Sequence, residues 1–412
     1  MADFKRGKGF ADLFEPDSTT FSFLEDVARR VFSAYGYAEL RTPIMEQTEL
    51  FARGIGTETD VVQKEMYTFP DKKGRSMTLR PEATAGVMRA YIEAGRQAKE
   101  AVSKFFTYGP MFRYERPQKG RMRQFHQLNC ECIGAPEPVV DAEIILMAMT
   151  FIREIGINDV SLQLNSLGCK ECRPKYNQAL HDFFESLDKS GLCEDCRRRM
   201  DVNPLRVLDC KEPSCRALTA NAPQIADHNC PACKEHFSFV LRTLDGAGLA
   251  YEINPRLVRG LDYYTRTTFE VVSGNIGSQS AVVGGGRYDG LVKQLGGPDV
   301  SGMGFACGME RLALLIGEKK PGNPDFYLAV LDESGLEKAV VIAQKLREAG
   351  KKGEVSFVAK SLKSQMRQAS KTGASKCLLL GGDEIANNTI TVKDMETGYQ
   401  ETVSLDDLLT KF

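Results

Sequence analysis

A linker rich in glycine, proline and charged residues interrupts the sequence at residues 317–324. Its residues, Gly-Glu-Lys-Lys-Pro-Gly-Asn-Pro, favour turns over regular structure. Strand-like segments and glycine-rich turns precede the linker, whereas strands and helices alternate after it. A chain of 412 residues also exceeds one ordinary domain. We therefore expect separate domains at residues 1–321 and 325–412.

The larger domain is expected to be an α+β structure on a mainly antiparallel sheet. Residues 105–114 and 125–132 are strand-like and flank a basic loop, which predicts an antiparallel hairpin. Other strands are expected at residues 37–44, 77–79, 160–164, 251–254, 267–272 and 280–283. Helices are expected at residues 18–32 and 141–154, after Pro81 with Glu82 in the first turn, and near Met309, with a loop at residues 53–64.

The smaller domain has a different pattern. Strands are expected at residues 326–331, 355–358 and 376–380, and helices at residues 335–349 and 361–370. This βαβαβ order predicts a small doubly wound α/β domain with parallel strands.

The overall charge is almost balanced, with 54 basic and 55 acidic residues. A nucleic-acid partner must therefore be held by local basic patches. The first eight residues are charged and lack the apolar core of a signal peptide. No apolar run approaches the roughly 18 residues of a spanning helix. We expect a cytoplasmic protein with no membrane partner.

The predicted hairpin carries an unusual basic tip. Five basic residues fall within eleven positions, against the single acid Glu115. They are Arg113, Arg116, Lys119, Arg121 and Arg123. On a strand, Arg113 and Glu115 share one face, and an arginine held there can grip a phosphate with two hydrogen bonds. The alternative is a solvated hairpin tip.

Two further segments are candidates for ligand binding. The glycine-rich runs at residues 284–288 and 302–311 allow close approach of a ligand or backbone, although tight turns would look similar. Neither run has the P-loop pattern for binding ATP. Residues 257–264, Leu-Val-Arg-Gly-Leu-Asp-Tyr-Tyr, suit either a polar pocket or an ordinary strand end.

Together these segments resemble the class II aminoacyl-tRNA synthetases. Residues 41–46 resemble the dimer-forming motif 1, residues 112–115 with their loop resemble motif 2, and residues 302–311 resemble motif 3. Within that class the chain is most similar to the histidyl-tRNA synthetase family, at residues 79–84, 123–127 and 257–264. The similarity covers nearly the whole chain, except a cysteine-rich segment that many members lack.

The resemblance implies a reaction and a set of ATP-binding residues. A homodimer would activate L-histidine with ATP and transfer it to tRNA(His), with Mg²⁺ bridging the outer phosphates. Arg113 and Arg259 would be catalytic, both at the α-phosphate. Glu115 would bind the adenine amino group and Phe125 would stack on the ring. Arg121 and Arg311 would hold the γ-phosphate.

The resemblance also implies a histidine site. Its residues would be Glu82, Ala83, Thr84, Arg113, Gln127, Glu131, Arg259, Tyr263 and Tyr264. Glu82 and Thr84, with Gln127, would bind the ammonium group. Glu131 and the two tyrosines would meet the imidazole, since a carboxylate accepts a hydrogen bond from a ring nitrogen.

Two alternatives belong to other functional classes. The regulatory subunit of ATP phosphoribosyltransferase resembles the synthetase catalytic domain but lacks an anticodon-binding domain. A metal or redox sensor could also be built on a synthetase scaffold. The chain retains the βαβαβ domain and the arginines at 113, 259 and 311, which argues against both alternatives.

The C-terminal domain resembles the anticodon-binding domain of the family. Its second helix carries a basic stripe formed by Lys360, Lys363, Arg367 and Lys371, opposite Leu362, Met366 and Ala369. We expect the stripe to contact tRNA, with a plain solvated face as the alternative.

Eight cysteines form four close pairs within about 65 residues. We interpret their segment, about 167–245, as an inserted module with one or two structural zinc ions. The spacing suggests one site from Cys169, Cys172, Cys193 and Cys196, and another from Cys210, Cys215, Cys230 and Cys233. Interleaved pairs, or a thiolate replaced by His228 or His236, would also fit.

Overall fold

The computed structural model describes residues 4–57, 59–276 and 281–412. The chain divides into two compact units, Met1–Lys319 and Lys320–Phe412. The division lies inside the linker segment 317–324. Among the described residues, no helix combines the length and apolar character needed to cross a membrane.

The first unit contains helices and strands in mixed order. Its helices are α1 Asp17–Ala34, α2 Thr48–Ile55, α3 Thr84–Glu93, α4 Pro138–Glu154, α5 Cys172–Glu185, α6 Glu194–Val202, α7 Leu205–Leu208, α8 Pro213–Leu218, α9 Ile225–His228, α10 Pro231–Gly246, α11 Leu291–Gln294 and α12 Met309–Ile316. Its strands are β1 Ala38–Glu39, β2 Met45–Gln47, β3 Tyr67–Pro70, β4 Ser76–Leu79, β5 Ser103–Phe112, β6 Gln124–Ile133, β7 Ser161–Ser166, β8 Glu252–Ile253, β9 Thr265–Val272, β10 Ala281–Arg287 and β11 Gly302–Gly308.

A sheet of eight strands organises this unit, in the order β1-β5-β6-β11-β10-β9-β7-β8. Its two outermost pairs, β1 with β5 and β7 with β8, are parallel, and the other pairs are antiparallel. A second sheet of three strands has the order β2-β4-β3. The antiparallel sheet and the β5–β6 hairpin confirm the predicted α+β class.

Alternation along β6 separates the hydrophobic core from the polar face of the sheet. Leu128, Cys130 and Cys132 are buried in the core with α1 and α4. Because successive side chains of a strand point to opposite faces, Gln127, Asn129 and Glu131 lie on the other side. One strand thus contributes both to the core and to a row of polar groups.

Phe32 of α1 joins the two core helices to the sheet. Its ring centroid lies 5.3 Å from that of Phe151 in α4, 5.7 Å from Phe106 in β5 and 5.8 Å from Phe305 in β11. Each such pair contributes roughly 0.5–1.5 kcal/mol beyond the burial of area. The polar face of the sheet is therefore backed by a rigid aromatic core.

The cysteine-rich segment folds as a set of short helices, α5 to α10, between β7 and β8. Buried Tyr176, Leu180 and Phe184 lie on one side of α5, as their helical spacing predicts. They share a core with Val258 and with Tyr264 of the following segment. The module therefore packs directly against the chain that leads to β9.

Several local predictions were wrong. Residues 37–44 form only the two-residue β1, which ends at Glu39, well before Pro43. Residues 53–64, predicted as a loop, include the end of α2 and most of a π-helix at Val61–Glu65, with Glu58 outside the described residues. The helix expected after Pro81 begins at Thr84.

The strand predicted at residues 280–283 extends to Arg287 as β10, and Ser280 lies outside the described residues. The predicted role of Glu82 in a first helical turn is also corrected. Its carboxylate precedes α3 and accepts hydrogen bonds from the backbone N–H groups of Thr84 and Ala85, at 2.6 and 2.9 Å. Glu82 thus caps the helix from outside.

The second unit confirms the predicted βαβαβ order. Its strands are β12 Phe326–Val330, β13 Gly353–Val355, β14 Lys376–Leu380, β15 Thr389–Asp394 and β16 Gln400–Ser404, and its helices are α13 Leu336–Glu348, α14 Leu362–Thr372 and α15 Gly382–Asn387. The order is β13-β12-β14-β15-β16, parallel among the first three strands and antiparallel beyond them. The sequence reading missed the antiparallel pair β15–β16.

A buried charge network fastens β10 to α4. Arg287 is fully buried and donates hydrogen bonds to Asp141 and to the carbonyls of Ala135 and Glu137. Asp141 also contacts His236 Nε2 at 2.7 Å. Each charged group of this network therefore has a partner, as a low-dielectric interior requires.

We predict that Arg287→Met lowers the free energy of unfolding of the first unit by about 3–5 kcal/mol, because it leaves Asp141 buried without its main partner. Urea unfolding followed by circular dichroism measures the change. The matched control is Lys293→Met, which removes an exposed pair with Asp299 and should cost less than about 1 kcal/mol. Equal losses of unfolding free energy in the two variants would show that the buried network stabilises the unit no more than an exposed ion pair does.

Candidate active site

A cavity of about 400 Å³ opens on the polar face of the eight-stranded sheet. Its walls include twelve predicted site residues, namely Glu82, Thr84, Arg113, Glu115, Arg121, Phe125, Gln127, Glu131, Arg259, Tyr263, Tyr264 and Arg311. Ala83 is fully buried just before α3, at its N-cap. Segments far apart in the sequence thus converge on one cavity.

One end of the cavity is strongly cationic. Burial, together with the nearby guanidinium groups of Arg121 and Arg113, lowers the pKa of Arg311. Arginine nevertheless stays charged at any physiological pH. Like charges held close together in a partly buried site favour a polyanionic ligand.

Specific contacts hold these arginines in place. Arg113 Nε donates to the carbonyl of Pro81 at 2.9 Å, and its guanidinium lies 5.4 Å from the centroid of the Phe125 ring. Arg311 Nη1 donates to the carbonyl of Ala281 at 2.6 Å. Arg121 forms an ion pair with Glu115. The Arg113 guanidinium is therefore held above the Phe125 ring at the cationic end.

The expectation that Arg113 and Glu115 lie on a strand was wrong. β5 ends at Phe112, so both residues belong to the loop of the hairpin. Both still line the cavity, because the Arg113 backbone N–H donates to the carbonyl of Arg123 at 2.9 Å, in the other arm of the hairpin.

Arg259 enters the cavity from the segment between β8 and β9. It forms an ion pair with Glu270 of β9. Gly284 of β10 lies directly opposite Glu270 in the sheet, and a Cβ there would overlap the Arg259 guanidinium. Burial alone would lower the pKa of Arg259, but the Glu270 carboxylate and Tyr264 raise it. Gly284 therefore leaves room for the charged Arg259 guanidinium beside Glu270.

The opposite end of the cavity is built around Glu131. Its carboxylate accepts hydrogen bonds from Thr84 Oγ1, at 2.6 Å, and from the hydroxyl of Tyr288. Gly304 of β11 faces Glu131 across the sheet, and a Cβ there would overlap the carboxylate. Burial first, then the nearby Glu82 carboxylate, raises the pKa of Glu131 to about 8, against the opposing effect of its hydrogen bonds.

Aromatic rings enclose this end. The centroids of Tyr263 and Tyr264 lie 4.7 Å apart, and Tyr263 lies 5.7 Å from Tyr288. Within the described part of the chain, the buried Gln127 Oε1 and Arg259 Nε have no hydrogen-bond partner. Buried polar atoms of this kind require partners, so this end is suited to a small polar ligand with a ring.

The comparisons with known proteins are consistent along the chain. Residues 9–312 match the family model for histidyl-tRNA synthetase, and residues 325–412 match the model for an anticodon binding domain. The chain is 67% identical to a histidine–tRNA ligase of Oleidesulfovibrio alaskensis over 98% of both chains. The chain belongs to the histidyl-tRNA synthetase family.

Two further comparisons agree with this membership. A histidine–tRNA ligase of Nitratidesulfovibrio vulgaris is 64% identical over 98% of this chain and 97% of its own length. The crystal structure of apo S. aureus histidyl-tRNA synthetase is 37% identical, has a TM-score of 0.83 and matches 99% of both chains. These relatives span both units, so the comparisons do not favour the regulatory subunit of ATP phosphoribosyltransferase.

The cysteines of the inserted module form two clusters, with a pairing that differs from the predicted one. One cluster contains Cys169, Cys172, Cys230 and Cys233, and the other contains Cys193, Cys196, Cys210 and Cys215. The first and last of the four close pairs thus form one cluster, and the two middle pairs form the other. Neither histidine replaces a thiolate, because His236 contacts Asp141 and the His228 ring packs against Tyr176.

The geometry of both clusters fits a tetrahedral metal ion. The four sulfur atoms of each cluster lie within 4.8 Å of one another. Cys169 and Cys172 are 3.6 Å apart, and Cys193 and Cys210 are 3.9 Å apart. Zn–S bonds of about 2.3 Å place tetrahedral sulfur atoms about 3.8 Å apart, whereas a disulfide needs about 2.05 Å.

The sequence reading missed several cavity residues. Tyr288, Asn129, Glu270 and Arg206 all line the cavity. The period of two along β6 could have identified Asn129, which shares a face with Gln127 and Glu131. β9 contains no predicted site residue, so the same period does not identify Glu270. No local pattern identifies Arg206, because it reaches the cavity from the inserted module.

We predict that Glu131→Gln lowers kcat/KM for histidine by about 10–100-fold, because the amide NH2 that replaces one acceptor oxygen leaves a buried hydrogen-bonding group unpaired. The KM for ATP should change little, because Glu131 lies at the other end of the cavity. ATP–pyrophosphate exchange measures both constants. Full activity would show that a neutral amide can replace Glu131, and an equal loss for both substrates would indicate general damage to the cavity.

Proposed function

We propose that the chain is a histidine–tRNA ligase with the site described above. It activates L-histidine with ATP, releases pyrophosphate, and transfers histidine to the 3′ end of tRNA(His), releasing AMP. One observation supports the placement of this chemistry most directly. A single cavity joins a cluster of arginines to an enclosed pocket that contains a carboxyl group and tyrosines, and Arg259 lies between them.

The position of Arg259 follows from its neighbours. Its guanidinium lies 5.7 Å from the centroid of the Tyr264 ring, at the enclosed end. Its charge also acts on Arg113, at the cationic end, where burial is the main cause of a lowered pKa. A group between the two substrates is well placed to act on the atoms that react.

The proposed first step joins a histidine carboxylate oxygen to the α-phosphorus and breaks the bond to pyrophosphate. Negative charge develops on the phosphoryl oxygens, so fixed cations stabilise the transition state. Arg113 and Arg259 are the proposed catalytic residues because each is held rigidly, by the Pro81 carbonyl and by Glu270 respectively.

The proposed ATP site uses the cationic end. The adenine would stack on Phe125 with its amino group on Glu115, and the γ-phosphate would lie between Arg121 and Arg311. Arg121 would exchange its present partner, Glu115, for the phosphate. Mg²⁺ would neutralise charge on the outer phosphates, and the carboxylates of Glu270 and Glu310 on the cavity wall offer the oxygen ligands it prefers.

The proposed histidine site uses the enclosed end. Glu82 and Thr84, with Ala83 between them, and Gln127 would bind the ammonium group, and the orphaned Gln127 Oε1 supports that role. Glu131, Tyr263 and Tyr264 would surround the imidazole. A site that hydrogen-bonds the imidazole rejects amino acids with apolar side chains strongly, because its buried polar groups would then be left unpaired.

We also propose that α14 presents a tRNA-binding surface. Lys363, Arg367 and Lys371 of α14 are exposed, and so is Lys360, which was predicted on the helix but lies just before it. Phe357, which the sequence reading missed, is 89% exposed close by in the sequence and could stack on an unpaired base. The apolar stripe predicted on the other side of this helix is only partly correct, since Ala369 is buried but Leu362 is 49% exposed.

A homodimer and a cytoplasmic location are part of the same proposal. Residues 41–46 resemble the dimer-forming motif, and Ile44 and Met45 remain 43% and 44% exposed in the single chain. Exposed apolar side chains at such a segment are typical of an interface. The cytoplasm supplies the ATP and tRNA that the reaction consumes.

We propose, finally, that the two cysteine clusters each hold a structural zinc ion. Backbone N–H groups already point at the sulfur atoms, as from Cys230 to Cys172 Sγ at 3.1 Å and from Cys193 to Cys215 Sγ at 3.2 Å. Such hydrogen bonds favour the thiolates that zinc requires. With four thiolates each, the sites have no open position for catalysis.

We predict that Arg259→Ala lowers the rate of histidine activation by about 10²–10³, the usual effect of removing one charge-stabilising donor. The melting temperature should change by only a few degrees. ATP–pyrophosphate exchange at saturating substrates measures the rate. A rate within a few-fold of the unaltered protein would contradict the role of Arg259.

We predict that replacing Lys363 and Arg367 with alanine raises the KM for tRNA and reduces its dependence on salt, because fewer phosphates are neutralised. Pyrophosphate exchange without tRNA should be unchanged. The matched control replaces Lys345 and Arg347 of α13 in the same unit. An unchanged salt slope would show that the stripe is an ordinary solvated surface.

We predict two zinc ions per chain in protein purified without added metal or chelator. Elemental analysis measures the content, and Cys196→Ser should reduce it to about one. Chelation should unfold the module, because structural zinc contributes roughly 10–16 kcal/mol in small peptides. A zinc content well below one, with all eight thiols reactive, would contradict the proposal.

A further inference from the structure

Residues 256–264, the Arg259 segment, include Arg259 and Tyr264. Side chains of the inserted module hold this segment by hydrogen bonds. Arg206 Nη1 donates a hydrogen bond to the backbone carbonyl of Arg259 at 2.7 Å. Asn203 Nδ2 donates to Asp262 Oδ1 at 2.8 Å. Asn203 lies between α6 and α7, and Arg206 lies in the single turn of α7. The middle of the segment is thus fixed from outside the sheet.

Both ends of the segment are also hydrogen-bonded to the module. At its start, Arg256 donates to the carbonyls of Thr219 and Leu208 at 2.8 and 3.0 Å, both within the module. At its end, Arg173 of α5 donates to the carbonyl of Tyr264 at 2.7 Å. The module therefore holds the segment at its start, middle and end.

Each anchor lies close to a cysteine cluster. Arg173 directly follows Cys172, and Thr219 Oγ1 donates to the carbonyl of Cys215 at 2.8 Å. Arg206 lies in the stretch between Cys196 and Cys210, whose sulfur atoms belong to one cluster. Folding around the clusters thus determines where the anchoring side chains stand.

We infer that the inserted module positions the Arg259 segment for histidine activation, with Arg206 as the main positioning residue. The inference rests on the proposed function. Arg206 lines the cavity, and its side chain is only 19% exposed. Its guanidinium acts on the reacting atoms through Arg259, because it holds the backbone of that residue. The clusters therefore contribute to catalysis through geometry.

The expected effect follows from the sensitivity of catalysis to small displacements. A shift of about 1 Å in a catalytic group can cost roughly 10²-fold in rate. Glu270 holds the Arg259 guanidinium, whereas Arg206 holds its backbone. Without Arg206, the Arg259 side chain keeps its ion pair with Glu270, but the Arg259 backbone is no longer held in place. The loss should therefore be smaller than that caused by removing Arg259.

The test is a double-mutant cycle in ATP–pyrophosphate exchange with the full-length protein. Arg206→Ala should lower kcat about 10-fold with little change in the KM for ATP. Arg206→Lys, which keeps one donor, should recover most of that loss. In the Arg259→Ala background, Arg206→Ala should cost less than about 2-fold, because the group it positions is gone. The control Arg198→Ala, on α6 of the same module, should retain full activity.

The outcomes separate the two levels of the proposal. Absence of histidine-dependent exchange in the unaltered protein would overturn the proposed function. If the unaltered protein is active and Arg206→Ala has the same kcat, the positioning role alone is wrong. The same holds if Arg206→Ala lowers kcat by the same factor with and without Arg259. If Arg206→Ala fails to fold, the Arg206→Lys and Arg206→Gln variants decide. If both variants fold and neither changes kcat, the inference is overturned. If only Arg206→Gln lowers kcat, the inference is supported.

Discussion

The ion pair between Arg259 and Glu270 is the interaction on which the site depends. An isolated charge in a partly buried cavity is costly, and the Glu270 carboxylate offsets that cost. The pair forms above Gly284, where a side chain would occupy the same space. Replacing the glycine or the carboxylate would displace the cation from the cavity, and replacing the arginine would remove it. The residue types on three neighbouring segments are therefore constrained together.

The eight-stranded sheet makes such an arrangement stable. Its core side is packed with aromatic rings around Phe32, and its other side carries the polar row of β6. On the polar side, burial within the cavity wall raises the pKa of Glu131 to about 8. Stability and chemical character thus have the same physical origin, since the low-dielectric environment that fixes a side chain also changes its proton affinity.

Much of the architecture could be predicted because local patterns determine it. The β5–β6 hairpin and the βαβαβ order follow from periodicity, and twelve predicted residues do line one cavity. The pairing of cysteines could not be predicted, because closing loops of somewhat different length costs nearly the same entropy. Arg206 and Tyr288 were missed for a related reason. Their roles depend on contacts with distant segments that leave no local pattern.

The central claim is that this cavity activates histidine and no other amino acid. ATP–pyrophosphate exchange with each of the twenty amino acids, in the absence of tRNA, tests it most directly. A site that hydrogen-bonds its substrate discriminates by roughly 10⁴–10⁵ against analogues that lack those groups. Exchange should be rapid with histidine and near background with each of the other nineteen. Exchange that is equally fast with another amino acid, or absent with histidine, would contradict it.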